Sequence, residues 1–257
     1  LKAKYFFKNR KSDKDHSKIE SLLKQSIQSD KNFISPYILF GNYFLATNNY
    51  NQSLKYFESG LDISVKNKNE KHLATSLNGI GKIYYLKGKF NKALEFYNKA
   101  LQIWEKINNY EGQADTLNLI GSIHDYNGRY DDALKFYEKS YKMYKRSNFK
   151  LGLCKTSFNI ANAYCTKGDS VNALRYQELS FNLSKDTNNA VMLGYNYNLR
   201  GVVYSNNSQP QEAYELFKKS LNIRKSLNDQ EGIATLYRNI GVVYLAMGLL
   251  KQSIGYY

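Results

Sequence analysis

The chain has 257 residues, 42% of them hydrophobic and 15% aromatic, with two cysteines and a formal net charge of +15 at pH 7. That is ample apolar material for a core, yet no run of about 18 apolar residues is present to cross a membrane and no apolar leader with a small-residue cleavage site points to secretion. Thirty of the 37 basic residues are Lys and only seven are Arg; the planar Arg fork is what reads bases and phosphates bidentately, so nucleic acid is not the expected partner, and the abundance of Lys, Asn, Ile and Tyr fits an AT-rich genome.

In chain order, Leu1 to Lys11 reads as an aromatic-rich helix and Lys11 to Asp15 as its turn. Residues 1–33 carry nine basic and four acidic side chains. Ile19, Leu23 and Ser26 precede Ser53, Phe57 and Gly60 by thirty-four residues, while Ser26 to Phe33 ends one helix and enters the next. From Ile34 onward the period is forty: Gly41, Gly81, Gly121, Ala161, Gly201 and Gly241 form one column. A fixed period of this length marks an array of supersecondary units sharing a continuous core. The expected division is therefore one array over 1–257: a partial unit 1–33, full units 34–73, 74–113, 114–153, 154–193 and 194–233, and a truncated unit 234–257. A start at Leu1 rather than Met and a stop within a repeat suggest a piece of a longer protein.

Each unit reads as two helices. Lys71 to Lys87 places Leu73, Leu77, Ile80, Ile83 and Tyr84 on one stripe, Gly88 supplies a residue able to adopt positive φ, and Phe90 to Ile107 turns Phe90, Leu94, Tyr97, Leu101 and Trp104 inward. Polar connectors at Asn108-Asn109, Ser147-Asn148, Asp186 to Asn189 and Asn228-Asp229 are short enough to force antiparallel hairpins. Gly81 and Ala93 fall where two helices of a hairpin cross and Ala100 where the next hairpin packs; a mid-helix Gly costs about 1 kcal/mol against Ala, so its recurrence asks for a steric reason. Pro36 and Pro210 fall in first turns, where a missing N–H does no harm. Cys154 and Cys165 lie about 16 Å apart along one helix, beyond disulfide reach, and suit a reducing cytoplasm as small apolar side chains.

No catalytic arrangement is found: there is no Walker loop, H-E-x-x-H, G-x-S-x-G or Cys-x-x-Cys. His16, His72 and His124 fall in different units, so neither metal nor cofactor is expected, and His124 and Asp125 point apart as helix neighbours. The first helices carry a more informative series. Opposite the apolar stripe stand Asn78, Asn118, Asn159, Asn198 and Asn239; Asn is disfavoured inside helices by about 0.6 kcal/mol, and each amide is able to hold both the C=O and the N–H of an extended peptide. The other reading is that these amides bond between neighbouring units. Lys82, Asn162 and Arg238, with Tyr85, Tyr126 and Phe158, complete the candidate peptide-binding face, suited to a ligand with an acidic or carboxylate feature. Lys135, Lys139, Lys142 and Lys145, on a second helix, read as a solvated face.

The columns Gly81, Tyr84, Gly88, Ala93, Tyr97, Ala100, then Gly121, Gly128, Ala133, Tyr137, Ser140, then Gly201, Tyr204, Ala213, Phe217, Ser220 resemble the tetratricopeptide repeat over the whole chain. The forty-residue form is similar to that of kinesin light chains, spindle-orientation scaffolds and bacterial peptide-pheromone receptors. Ala161, Gln177 and His124 depart from the pattern. The resemblance implies an all-α, right-handed superhelical solenoid of antiparallel helix pairs, with the first helices on the concave side. Leu1 to Phe33 also resembles the entry repeat of bacterial multidomain signalling proteins, among them class III adenylate or guanylate cyclases, Ser/Thr kinases and winged-helix regulators, although Lys31 stands in place of the family's proline. The expected function is a non-enzymatic, cytoplasmic module that binds a protein segment or peptide and serves as the regulatory or docking part of such a protein. A basic solenoid binding nucleic acid is the rival, and self-assembly through uncapped ends at Phe6, Phe7, Val243, Leu249, Leu250 and Ile254 is a third.

Overall fold

The computed structural model describes residues 13–256, with side chains from Ser17 onward. Helix α1 spans Asp13–Ser29, α2 Ile34–Ala46, α3 Tyr50–Lys66, α4 Glu70–Leu86, α5 Phe90–Lys106 and α6 Tyr110–Tyr126. These are followed by α7 Tyr130–Arg146, α8 Lys150–Thr166, α9 Ser170–Asp186, α10 Ala190–Asn206, α11 Pro210–Ser226, α12 Gln230–Ala246 and the short α13 Leu250–Ile254. Every described element is a helix. The helix expected over Leu1 to Lys11 lies outside the described residues, as do Phe6, Phe7 and the side chain of His16. Asp13 to Asp15, expected in a turn, already belong to α1.

From α3 to α12 each helix has 17 residues and each connection three, so a left-handed residue recurs every twenty positions: Asn48, Lys68, Gly88, Asn108, Gly128, Asn148, Gly168, Asn188, Ser208, Asn228 and Gly248 all have positive φ. The bonds around Gly88 give the reason. Its N–H donates to the carbonyl of Tyr85 (2.9 Å) and that of Lys89 to Tyr84 (2.8 Å), which together end the helix in a Schellman motif. The residue after the turn then caps the next helix, as Asn109 does by accepting from the Gly112 N–H at 2.8 Å.

Packing divides the chain into two compact units, 1–123 and 124–257. In the first, α2 packs on α3, α3 on α4 and α4 on α5, while α2 also touches α4. In the second, neighbours from α7 to α13 pack in sequence, and the first helices α8, α10 and α12 touch side by side. The small columns act as expected at the crossings: a Cβ on Gly81 would lie 2.5 Å from the Tyr97 ring and 3.3 Å from the Ala93 carbonyl. Ala100, expected where the next hairpin packs, instead clusters with Ala74, Leu77 and Trp104 of its own hairpin. Tyr97 and Trp104 are buried as expected, whereas Phe90, Leu94 and Leu101 are half-buried. Cys154 and Cys165 are free and buried, and burial pushes both thiols up. Val243, expected at an exposed end, is fully buried in the last core cluster, while Leu249, Leu250 and Ile254 are exposed. No described helix is long and apolar enough to cross a membrane.

Candidate binding face

On α4, residues Leu77, Ile80 and Ile83 are buried while Lys82 and Leu86 stay exposed, so the helix presents one face to the core and one outward. The expected binding residues lie on the corresponding outward face of their own first helices or at its edge. Strict forty-residue register gives Asn78, Asn118, Phe158, Asn198 and Arg238; Asn159 and Asn239 fall one position later, as does Tyr126 relative to Tyr85. The five asparagines are thus not one row, because a single step around a helix turns a side chain by about 100°.

In the first unit, the Asn78 amide donates to Thr116 Oγ1 at 2.7 Å, while its Oδ1 is buried without a partner. Tyr85 tilts against Phe90 with centroids 5.8 Å apart. Asn118 is half-buried and Lys82 exposed. In the second unit, Asn239 donates from Nδ2 to Asn198 Oδ1 at 2.9 Å. Two of the five amides therefore donate to a neighbouring first helix, the alternative weighed from sequence. Tyr126 is 70% exposed. Asn159 and Asn162 are half-buried on α8 and Arg238 exposed on α12, with no ion pair for Arg238 among the described residues. The lysines Lys135, Lys139, Lys142 and Lys145 are all exposed.

The best-formed part of this face belongs to α8, α10 and α12. Phe158 meets Tyr195 at a centroid distance of 5.7 Å, and the guanidinium of Arg224 lies 3.7 Å from the Tyr195 ring centre. Arg224 is only 3% exposed and pairs with Asp229. The Gly232 N–H first, and Arg224 after it, hold the Asp229 carboxyl below the usual carboxylate range. A cavity of about 140 Å³ opens beside them, lined by Tyr195, Asn198, Arg224, Asp229, Thr235 and Leu236. Phe158 and Asn198 were expected here; Tyr195 and Arg224 were not. Tyr195 sits one turn before Asn198, where other units have Thr75, Asp115 and Lys155, and Arg224 takes the register of Trp104 and Tyr144. Only these register breaks signal them.

Aromatic faces, amides and an ion pair supply contacts for a chain, and they supply no proton-transfer or nucleophilic set. Among the described residues no three His, Cys, Asp or Glu side chains gather to hold a metal. His124 stacks on Phe136, and Asp125 accepts from Tyr137 instead of meeting its sequence neighbour.

The tetratricopeptide repeat model matches residues 34–106, 72–146 and 190–257. The chain belongs to the tetratricopeptide repeat family. Among solved structures, aspartyl phosphate phosphatase F from Bacillus subtilis is similar at 15% identity and a TM-score of 0.79, over 99% of this chain and 66% of that one. The Rap conjugation gene regulator of plasmid pLS20, solved in complex with the Phr* peptide, is similar at 15% identity and a TM-score of 0.75, over 99% and 71%. A signal transduction ATPase with a tetratricopeptide repeat sensor from Pyrococcus horikoshii is similar at 20% identity and a TM-score of 0.70, over 93% of this chain and 38% of that one. At these identities the likeness concerns the fold. Among curated proteins none matches the chain by sequence.

Proposed function

We propose that the chain is a tetratricopeptide scaffold that binds an extended protein segment on the outward face of its first helices, as the sensing or docking part of a larger cytoplasmic signalling protein. The reading treats 1–257 as one array. The observation that carries it is Tyr195, a large ring 41% exposed yet clamped between Phe158 and Arg224 beside a cavity. Tyr and Arg are the side-chain types enriched at the energetic centres of recognition sites. In the second unit Asn159, Asn162, Asn198 and Asn239 supply amides beside Tyr195, with Arg238 a cation and Tyr126 a ring; in the first unit Asn78 and Asn118 supply amides, with Lys82 and Tyr85 on α4. A segment with an acidic side chain or a terminal carboxylate suits Arg238 in the second unit, as it would Lys82 in the first. The Rap regulator of pLS20 binds its Phr* peptide on a similar fold, which supports a peptide ligand. For the attached domain, the entry-repeat resemblance supports a cyclase first, with a kinase or transcription regulator as alternatives.

Selection of a peptide library against the chain, followed by titration of the selected peptide, tests this. Tyr195→Ala and Asn198→Ala are each expected to weaken binding by roughly 1–3 kcal/mol with helicity unchanged. Unaltered affinity in both variants would remove the face from the account.

A further inference from the structure

In five hairpins a ring of the first helix stacks on a ring twelve residues on. Phe44 stacks on Tyr56 and Tyr84 on Phe96 in the first unit. In the second, His124 stacks on Phe136, Tyr164 on Tyr176 and Tyr244 on Tyr256. The series breaks at Tyr204, whose counterpart is Leu216. At that break a cavity of about 640 Å³ opens between α9, α10 and α11, lined by Phe181, Tyr197, Tyr204 and Leu216, with Glu212 and Lys219 among its charged residues. Its size, and a wall that sets three rings among charged side chains, suit a ligand site, and α9 and α11 are second helices, so it is separate from the face carrying Tyr195.

We propose that this cavity is a second binding site, which takes an aromatic side chain of a partner segment in the place of the missing ring, stacked on Tyr204. The charges define the rest of the segment. Arg200 is engaged by Glu178 and Glu215 by Lys218, whereas Lys219, over the Tyr197 ring, and Glu212 have no ion pair among the described residues. They stand seven positions apart on α11, about 10.5 Å along its axis, a distance that an extended chain covers in about three residues. The partner is thus an extended segment with a Phe or Tyr between one acidic and one basic residue about three positions apart.

The test uses the full chain and the blocked peptides Asp-Phe-Ala-Lys and Lys-Ala-Phe-Asp, each beside its Leu-for-Phe counterpart, followed by NMR. Saturable shifts at Tyr204 and Tyr197 are expected with no shift at Phe158 or Tyr195, and about three- to tenfold tighter binding of at least one Phe peptide than of its Leu form. Leu216→Phe, which restores the ring, is expected to keep the helicity and lose the binding. Equal affinity for Phe and Leu peptides, no saturable shift at the cavity, or full binding by folded Leu216→Phe would overturn the proposal. Should Leu216→Phe fail to fold, Tyr204→Ala decides instead: retained binding overturns the site and lost binding supports it.

Discussion

His124 lies flat on Phe136, ring centroids 5.0 Å apart and planes 15° from parallel, in the register that tyrosine holds in Tyr84 and Tyr164. A planar ring, not a hydroxyl, is what the position requires. Burial first, then Arg129, holds the imidazole below the ordinary histidine value, against the opposing pull of Asp132; His72 is lowered too, by burial and then Lys71. A base depressed in the fold binds its proton more readily when unfolded, so stability is kept above the unfolded value of about 6.5 and declines as pH falls through it. Asp229, a depressed carboxylate, adds its own loss only in stronger acid, as pH falls through its folded value. Thermal midpoints are expected to drop between about pH 7.5 and about pH 5.5, and less so in His124→Tyr. An identical drop in that variant would contradict the assignment.

Two departures from the repeat pattern, Ala161 and Gln177, are one event. Rings sit sixteen residues after the small column, and a Cβ on Gly41, Gly81 or Gly201 would come within 2.8, 2.5 and 2.5 Å of Phe57, Tyr97 and Phe217 respectively. Where alanine replaces glycine, a ring no longer fits, and buried Gln177 stands there with its amide donating to the Asn196 carbonyl at 3.3 Å and its Oε1 unpartnered. Gln177→Phe alone is expected to cost about 1–3 kcal/mol through overpacking. Adding Ala161→Gly should recover that loss, a coupling that a double-mutant cycle in urea measures. Additive effects would contradict the pairing.

Ser208 and Lys68 hold φ of 59° and 50° in turns where other units use Gly or Asn. A left-handed conformation costs an ordinary L-residue roughly 1–2 kcal/mol. Ser208→Gly and Lys68→Gly are each expected to raise stability by about 0.5–1 kcal/mol; chemical denaturation reads the gain, and a loss would show that the turn needs the side chain.

The bond from Asn78 to Thr116 makes a structural contribution measurable apart from ligand binding. Asn78→Ala and Thr116→Val are each expected to cost about 0.5–1.5 kcal/mol, and together less than their sum. Strict additivity would mean that the bond contributes nothing.

Much of this was legible in the sequence, because the period and the turn residues are local signals. Gly88 announced its left-handed turn, and the column from Gly41 to Gly241 announced its crossings. Lys68 and Ser208 adopt the same turn without any preference for it, forced by helices of fixed length on either side. The packing around the candidate face is less legible in the sequence. Choosing asparagines by type mixed two registers, and no local signal links Arg224 to Tyr195, which meet only because α10 packs on α11. Val243 reads as an exposed end in the sequence, yet it is fully buried in a cluster with Ala213, Phe217 and Leu221 of α11.

The most direct measurement is an intermolecular NOE map of the chain with its library-selected peptide. Contacts to Phe158, Tyr195 and Asn198 on α8 and α10 are the result this account expects. A bound peptide whose contacts all fall on second helices, leaving Tyr195 untouched, would contradict it.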